Sequence, residues 1–592
     1  MHYPTLKTVP SLPLWTEQFT GLDRRPRAAD GSFAAMGNMT GENWPLLSSR
    51  KKRGVVAELE NPLGMIAMEK LAWIDGSRLY YGGKPTPITG LSLDASMLPK
   101  QMVSMGAYLL VFPDGMYCNT ADMTDFGTID RLYASPAGQA VGFSLCNLEG
   151  QAYPRTGMTV SDAEPSDPDE GDYWLDTGET AHVLYVWHGK WTAVSSLYVR
   201  IDAPGIGEGL RAQDSVALSG ICYAGGDSAL ESQLDFLNAT HTVQAVDDDY
   251  IVITGVIDQN YTQADGSVRA DRKAPRMDFV IECNNRLWGC RYGEQDGETV
   301  NQIYVCALGD FKNWRKYAGT SQDSYYVNVG SDGPFTGAAA HRGTPCFFKE
   351  NCLHRVYGEI PSNFQMQTVR CEGVNPGSGS TLVSVNGVMY YLGAHGVQRF
   401  DGIPESVGKA LGEGRLSGGA AGEMDGKYYL SAQEETGGWS LYVFDTGRGA
   451  WYRQDDAHAL AFAALNGEMY MLCRNGTVYA LNGRAGTEEP AEVTWYAETA
   501  EMGYEYPEHQ YMSRFLLRMK LEENAVCHFQ VQYDSDGIWL ERAFLHGDGK
   551  TDIFQLPIVP RRCRHMKVRL EGHGGMRLYG MARVLTAGGS KT

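Results

Sequence analysis

Long apolar runs are missing from this sequence. No stretch approaches the roughly 18 consecutive apolar residues that a membrane-spanning helix needs, and the opening MHYPTLKTVP lacks the basic-then-apolar order of a secretory signal. A soluble chain made in the cytoplasm is expected. Basic charge is also short: Lys and Arg number 51 against 71 Asp and Glu, for a formal net charge of −20. Affinity for nucleic acid comes mostly from Lys and Arg neutralising phosphate, so this balance argues against a protein that grips nucleic acid. It is compatible with a surface past which nucleic acid slides without sticking.

Recognisable chemistry is scarce. No GxSxG elbow, P-loop, HExxH or paired Cys/His site is present, so no catalytic, cofactor-binding or metal-binding residues are assigned, and no activity or cofactor is expected. The twelve cysteines never form CxxC and mostly sit inside apolar strand patterns, which suits buried thiols better than disulfides or zinc. The 13 histidines are scattered, and one in a turn, such as His395, reads as structural. Glycoside hydrolysis needs two carboxylates at a fixed separation, and 71 acidic residues single out none. Ser535-Asp536-Gly537-Ile538-Trp539 has the shape of a sialidase Asp-box, but once only and outside the repeat, so it reads as a hairpin turn. Asp247-Asp248-Asp249 lacks calcium-loop spacing and reads as the turn before Tyr250.

What the chain does have is a repeat. From Thr381 to Pro404, TLVSVNGVMYYLGAHGVQRFDGIP reads as three short strands and two turns. Asn386-Gly387 favours a tight hairpin because both central residues must reach φ > 0, His395-Gly396 makes the second turn, and Pro404 ends the unit. Related patterns recur at Leu71 to Gly82, Gly106 to Cys118, Phe279 to Trp314, Gly422 to Trp451 and Ala459 to Leu481. Their spacing of roughly 35 to 45 residues is that of propeller blades, and no sustained helical period competes. The 70 glycines suit many short strands joined by tight turns. The expected fold is all-β: a β-propeller of six or seven blades with an inserted small β-rich or α+β region and a C-terminal β-sandwich.

The expected boundaries are an extended N-terminal arm at 1–54, blades at 55–135, inserted modules at 136–275, blades again at 276–487, a sandwich at 488–587 and a disordered tail at 588–592. The arm ends in Arg50-Lys51-Lys52-Arg53, a solvated turn or a contact to a neighbouring subunit. The insertion holds a polar, acidic linker, Pro165 to Asp172, and an aromatic hairpin set in which Trp174, Trp187 and Trp191 either form a small core or meet a partner or glycan. A short helix is expected at Ser228 to Asn238.

Three stretches carry a resemblance. The arm, TGLDRRPR and FAAMGNMTGENWPLLSSRKKRG, resembles the opening of phage virion proteins. VNGVMYYLGAHGVQRFDGIPESVGKAL resembles the tail nozzle family of short-tailed phages, also called tail tubular protein B, and related phage stabilisation proteins. PIVPRRCRHMKVRLEGHGGMRLYGMARVLTAGGS is similar to the closing strands of such proteins. GDYWLDT and LYVWHGKW also resemble small β modules of phage tail and carbohydrate-binding proteins. The resemblance implies a virion tail subunit, a ring of six around the DNA channel. It would contact adaptor and fibre proteins and let double-stranded DNA pass without specific binding. The insertion has no counterpart in that family. A receptor- or glycan-binding tail protein is the first alternative, and a propeller glycosidase or depolymerase the second.

Overall fold

The computed structural model describes residues 11–26, 28–93, 99–178, 182–223, 225–264, 267–295, 297–503, 510–559 and 561–587. The expected disordered tail, 588–592, lies outside them. Two compact units divide the chain: Met1–Met102 with Asp332–Arg355 and Gln367–Thr592, and Val103–Ser331 with Val356–Met366.

The repeat predicted from turn chemistry forms antiparallel four-stranded meanders. Blade 5 is the unit read from Thr381: Val383–Val385, Val388–Gly393, Gly396–Phe400 and Pro404–Ser406. Asn386 and Gly387 take φ of 50° and 77°, as a tight hairpin requires. Pro404 does not end the unit. It pairs with Phe400 and opens a fourth, edge strand, where a missing N–H is tolerated.

In the first unit, blades stack face to face because successive side chains of a strand point to opposite faces. Met389 and Tyr391 join a buried cluster with Phe348 and Leu353 of blade 4, which starts at Phe335–His341. Tyr390 and Leu392 face the other way, onto Tyr428 and Leu430 of blade 6, whose first strands are Leu416–Met424 and Lys427–Glu434. The opposite face of blade 6 supplies Tyr429, Leu441 and Val443 to a cluster with Met469 and Met471 of blade 7, which starts at Ala459–Leu465. Leu472 and Val478 of blade 7 then meet Met65 and Leu71 of blade 1, which starts at Pro62–Ala67. Each fully buried large apolar side chain in such a stack contributes about 1.5–3 kcal/mol. A sheet buried on both faces is the packing of a β-propeller, and that is the fold class.

Blade 7 is closed by the N-terminal strand Gly54–Glu58, which pairs with Thr477–Ala480. The preceding residues do not lie along a finished surface; they enter it. Ser11–Thr16 pairs with the C-terminal strand Met576–Ala587, as does Leu47–Ser49. Ser32–Gly37 pairs with Thr494–Thr499, and Leu22 with Trp451 of blade 6. The C-terminal residues form the expected sandwich-type module, whose two sheets are completed by N-terminal strands. One of them continues into blade 6 as a ten-stranded sheet. Phe19, Phe33, Trp451, Trp495, Phe515 and Phe529 share its core.

The second unit holds two further meanders, blades 2 and 3. Leu110, Phe112 and Tyr117 of blade 2 pack on Leu287, Tyr304 and Trp314 of blade 3. The insertion folds as a seven-stranded sheet around Val141–Cys146, Tyr198–Asp202 and Tyr250–Thr254. It also carries a helix, Ser228–Phe236, capped by Asp227, whose Leu230 and Leu234 are buried against that sheet. A separate four-stranded sheet carries the aromatic hairpins.

Candidate functional site

The aromatic sheet consists of Met158–Ser161, Tyr173–Asp176, Val183–Trp187 and Trp191–Ala193. Trp174 is its core. The side chain is buried, its Nε1 donates to the Ser161 carbonyl at 3.1 Å, and its ring stacks on Tyr185 with centroids 5.1 Å apart. Trp191 meets Trp174 edge-on at 5.7 Å and Trp187 edge-on at 5.2 Å. Trp187 and Trp191 are half-buried, so of the three only these two offer aromatic surface.

The basic cluster divides in the same way. Arg53 pairs with Asp455 at 2.7 Å, and Arg50 with Glu489 at 2.5 Å and Asp455 at 3.7 Å. Their side chains are only 4% and 11% exposed, so the reading of all four residues as a solvated turn or a subunit contact is corrected: two are enclosed by their own chain. Burial alone would raise the Asp455 carboxyl. The charges of Arg53 and Arg50 more than offset it and hold it below the usual carboxylate range. Burial, then the charge of Arg53, pulls Arg50 down, against the raising effect of Glu489 and Asp455. All four residues of the cluster line an open polar groove of about 630 Å³, Lys51 and Lys52 without an ion pair among the described residues, together with Lys520, Arg577 and the carboxylates of Glu42, Glu488, Glu492 and Glu522. Six cations and four carboxylates line this groove, so its surface is of mixed charge.

A second cavity, about 710 Å³, lies at the end of blade 5 and had no sequence-level prediction. Its wall is the glycine-rich segment Gly408-Lys409-Ala410-Leu411-Gly412-Glu413-Gly414-Arg415, with Arg24 and Arg25 of the arm opposite and Val397 and Leu411 beneath. The Arg24 backbone N–H donates to the Ala410 carbonyl at 2.8 Å, which fixes the arm against the segment. Arg24 reaches Glu434 at 3.7 Å and Arg25 pairs with Asp23 at 2.6 Å. Burial would raise the Asp23 carboxyl, but the Arg25 hydrogen bond and charge hold it low. Lys409 and Arg415 are exposed and carry no ion pair among the described residues. The signal for this cavity was present as three glycines and two bases in eight residues, but a loop's direction is not legible without its neighbours.

Among the described residues, Ser535 and His565 form a nucleophile-and-base arrangement. Ser535 sits at a strained φ of 50°, and its Oγ lies 2.9 Å from His565 Nε2. The same Oγ donates to Glu501 Oε1 at 2.7 Å, and Glu501 also approaches Nε2 at 3.4 Å. The carboxylate therefore competes for the ring nitrogen that would take the serine proton, instead of orienting the ring from Nδ1 as a triad requires. These contacts brace the turn 534–537, the hairpin role expected of this stretch. Elsewhere, the first strands of the first unit's blades, PLGMIA, FTGAAAH, VSV, LSGGAAGEM and ALAFAAL, contain one acidic residue, Glu423. No pair of carboxylates converges there. No group of three or more His, Cys, Asp or Glu side chains fit to hold a metal occurs among the described residues.

The site and fold thus define a β-propeller protein with a charged cleft. No family model matches the chain, and no curated protein matches it. Among solved structures it is similar to BamB from Moraxella catarrhalis, at 9% identity and a TM-score of 0.29 over 73% of this chain and 96% of that one. It is also similar to an exo-β-1,3-galactanase from Phanerochaete chrysosporium with galactose, at 9% identity and a TM-score of 0.21, over 51% and 94%. A third is a glycoside hydrolase family 43 arabinoxylan arabinofuranohydrolase from Bacillus subtilis in complex with cellotetraose, at 9% identity and 0.19, over 51% and 94%. The expectation that the chain is not an enzyme is corrected here: a galactanase and a family 43 glycoside hydrolase are among the structures it is similar to.

Proposed function

We propose that the chain is a structural subunit of a phage tail, a nozzle or neck component that forms a ring around the DNA channel and contacts adaptor and fibre proteins. The observation that carries this reading is the interlacing of strands from residues 11–58 with strands more than 400 residues later. Ser11–Thr16, Ser32–Gly37 and Leu47–Ser49 are strands within the C-terminal module, and Gly54–Glu58 closes blade 7. Strands from residues 11–58 bonded into sheets built by residues 459–587 tie distant parts of the chain together, which suits a part under mechanical load. The net charge of −20 adds repulsion toward DNA phosphate, screened over roughly 8 to 10 Å at physiological salt. The sequence resemblance to tail nozzle proteins points the same way. Sizing and negative-stain microscopy of the purified chain test it: a ring with a central pore is expected, and a monomer or trimer overturns it.

A second reading is a glycan-directed protein, a receptor-binding tail component or a depolymerase. The half-exposed, edge-to-face pair Trp187 and Trp191 favours it, because such rings present apolar faces to sugars. Saturable binding of host polysaccharide, lost in Trp187→Ala with Trp191→Ala, would establish the binder. Turnover of that polysaccharide would establish the enzyme.

A further inference from the structure

We propose that the cleft walled by residues 408–415 receives the acidic loop 162–172 of a second copy of this chain, forming the contact that propagates the ring. The inference rests on the ring reading above. Its first basis is the cleft itself. In a chain of net charge −20, Arg24, Arg25, Lys409 and Arg415 converge on one cavity of about 710 Å³ opposed by a single lining carboxylate, Glu413. Arg24 and Arg25 are partly satisfied within the chain, but Lys409 and Arg415 are exposed and carry no ion pair among the described residues.

The second basis is a segment of opposite character. Between Arg155 and Lys190 the sequence contains no Lys or Arg, and residues 162–172 bear Asp162, Glu164, Asp167, Asp169, Glu170 and Asp172. The loop connects the parallel strands Met158–Ser161 and Tyr173–Asp176, so its ends are fixed while its middle projects. Asp162, Glu164, Asp167 and Asp169 are exposed and without an ion pair among the described residues, and Glu170 has only the exposed His188, at 2.7 Å. Pro165 and Pro168 stiffen the loop, which lowers the ordering cost of docking. Two different patches on one chain, each complementary to the other, make a heterologous interface, and heterologous interfaces build rings. Charge complementarity of this kind sets register and association rate more than bulk affinity.

Charge exchange tests the contact. Lys409→Glu with Arg415→Glu, and separately Asp167→Lys with Asp169→Lys, are followed by sedimentation velocity at low and high salt, with circular dichroism confirming folding. Each pair is expected to raise the concentration needed for assembly by about tenfold or more, and the two pairs mixed or combined to recover assembly. The proposal is overturned if both reversed proteins assemble like the parent, or if combining them deepens the defect. A parent that assembles but ignores these substitutions leaves the ring reading intact; a parent that stays monomeric at every concentration removes both.

Discussion

His354 shows what burial does to a single side chain here. It has no exposed surface; its Nε2 lies 3.5 Å from Cys352 Sγ and its Nδ1 2.9 Å from Thr368 Oγ1. Burial, and then the nearby Lys349 charge, pushes its pKa down to about 4. The unfolded chain takes up a proton near the ordinary histidine value, about 6.5, while the folded chain does not. Stability is therefore full above that value and falls as pH drops toward 4, by up to about 2–3 kcal/mol after allowance for screening. Thermal melting between pH 7 and 4 should show this slope, and His354→Gln, which cannot titrate, should flatten it while lowering stability overall. Glycines separate into two kinds at the same scale. Gly396 has φ of 104° but open space around a built Cβ, so Gly396→Val should cost about 1–3 kcal/mol and still fold, a milder outcome than its turn position alone suggests. Gly419 combines φ of 100° with the Ser431 carbonyl oxygen 2.0 Å from where a Cβ would stand. Gly419→Val should abolish soluble expression, and equal yields from the two variants would refute the distinction.

Elements were legible where turn chemistry is explicit. Asn386-Gly387, Asp425-Gly426 and Asn466-Gly467 all take the positive φ values that their sequence announces, and each opens a blade. Blade 4 was not singled out, because its first hairpin turns at Arg342-Gly343, with Arg342 at φ of 49°, a residue that gives no turn signal by itself. Its Ala-rich strand, FTGAAAH, also lacks the Val, Ile and aromatic residues by which strands are read. Non-local pairing was the other blind spot. Nothing in GVVAE says that it completes a blade more than 400 residues later, since edge complementarity is a property of the folded array. The clasp beside that strand makes the element-scale prediction. Asp455 stands between Arg53 and Arg50, all three largely enclosed, so Asp455→Ala leaves the buried Arg53 without its carboxylate, while Arg50 keeps Glu489. It should cost about 3–5 kcal/mol by denaturant midpoint, whereas Asp536→Ala, whose partner Arg561 lies 4.0 Å away at the surface, should change it by less than about 1 kcal/mol. Similar losses in both would sink the idea that this pair latches the arm.

Across the whole molecule, a two-residue aromatic surface and a basic cleft were harder to see than the fold. The sequence marked Trp174, Trp187 and Trp191 alike, and only packing separates the core ring from the half-exposed pair. The cleft joins Arg24 to Arg415 across nearly four hundred residues, a juxtaposition that no local pattern encodes. Cysteine placement, by contrast, was legible from the apolar strands around each thiol, and it provides a probe of how cooperatively the sheets hold together. The twelve thiols are unbridged; ten are buried, Cys371 is intermediate and Cys222 is exposed. Burial pushes Cys118, Cys283, Cys371 and Cys563 up to about 11, and Cys146, Cys306, Cys473 and Cys527 up to about 12. Only thiolate attacks a disulfide reagent, so the buried thiols among these are masked twice, by lack of access and by lack of charge, and the partly accessible Cys371 by lack of charge. The native protein at neutral pH should therefore release about one equivalent rapidly, from Cys222, and Cys222→Ser should remove that phase. The remaining equivalents should appear together across the denaturant transition of the unit that holds them. A rapid phase of several equivalents in native buffer would mean that blades open individually, and that the face-to-face stacking of Tyr391, Tyr428 and Met471 does not bind them into a cooperative array.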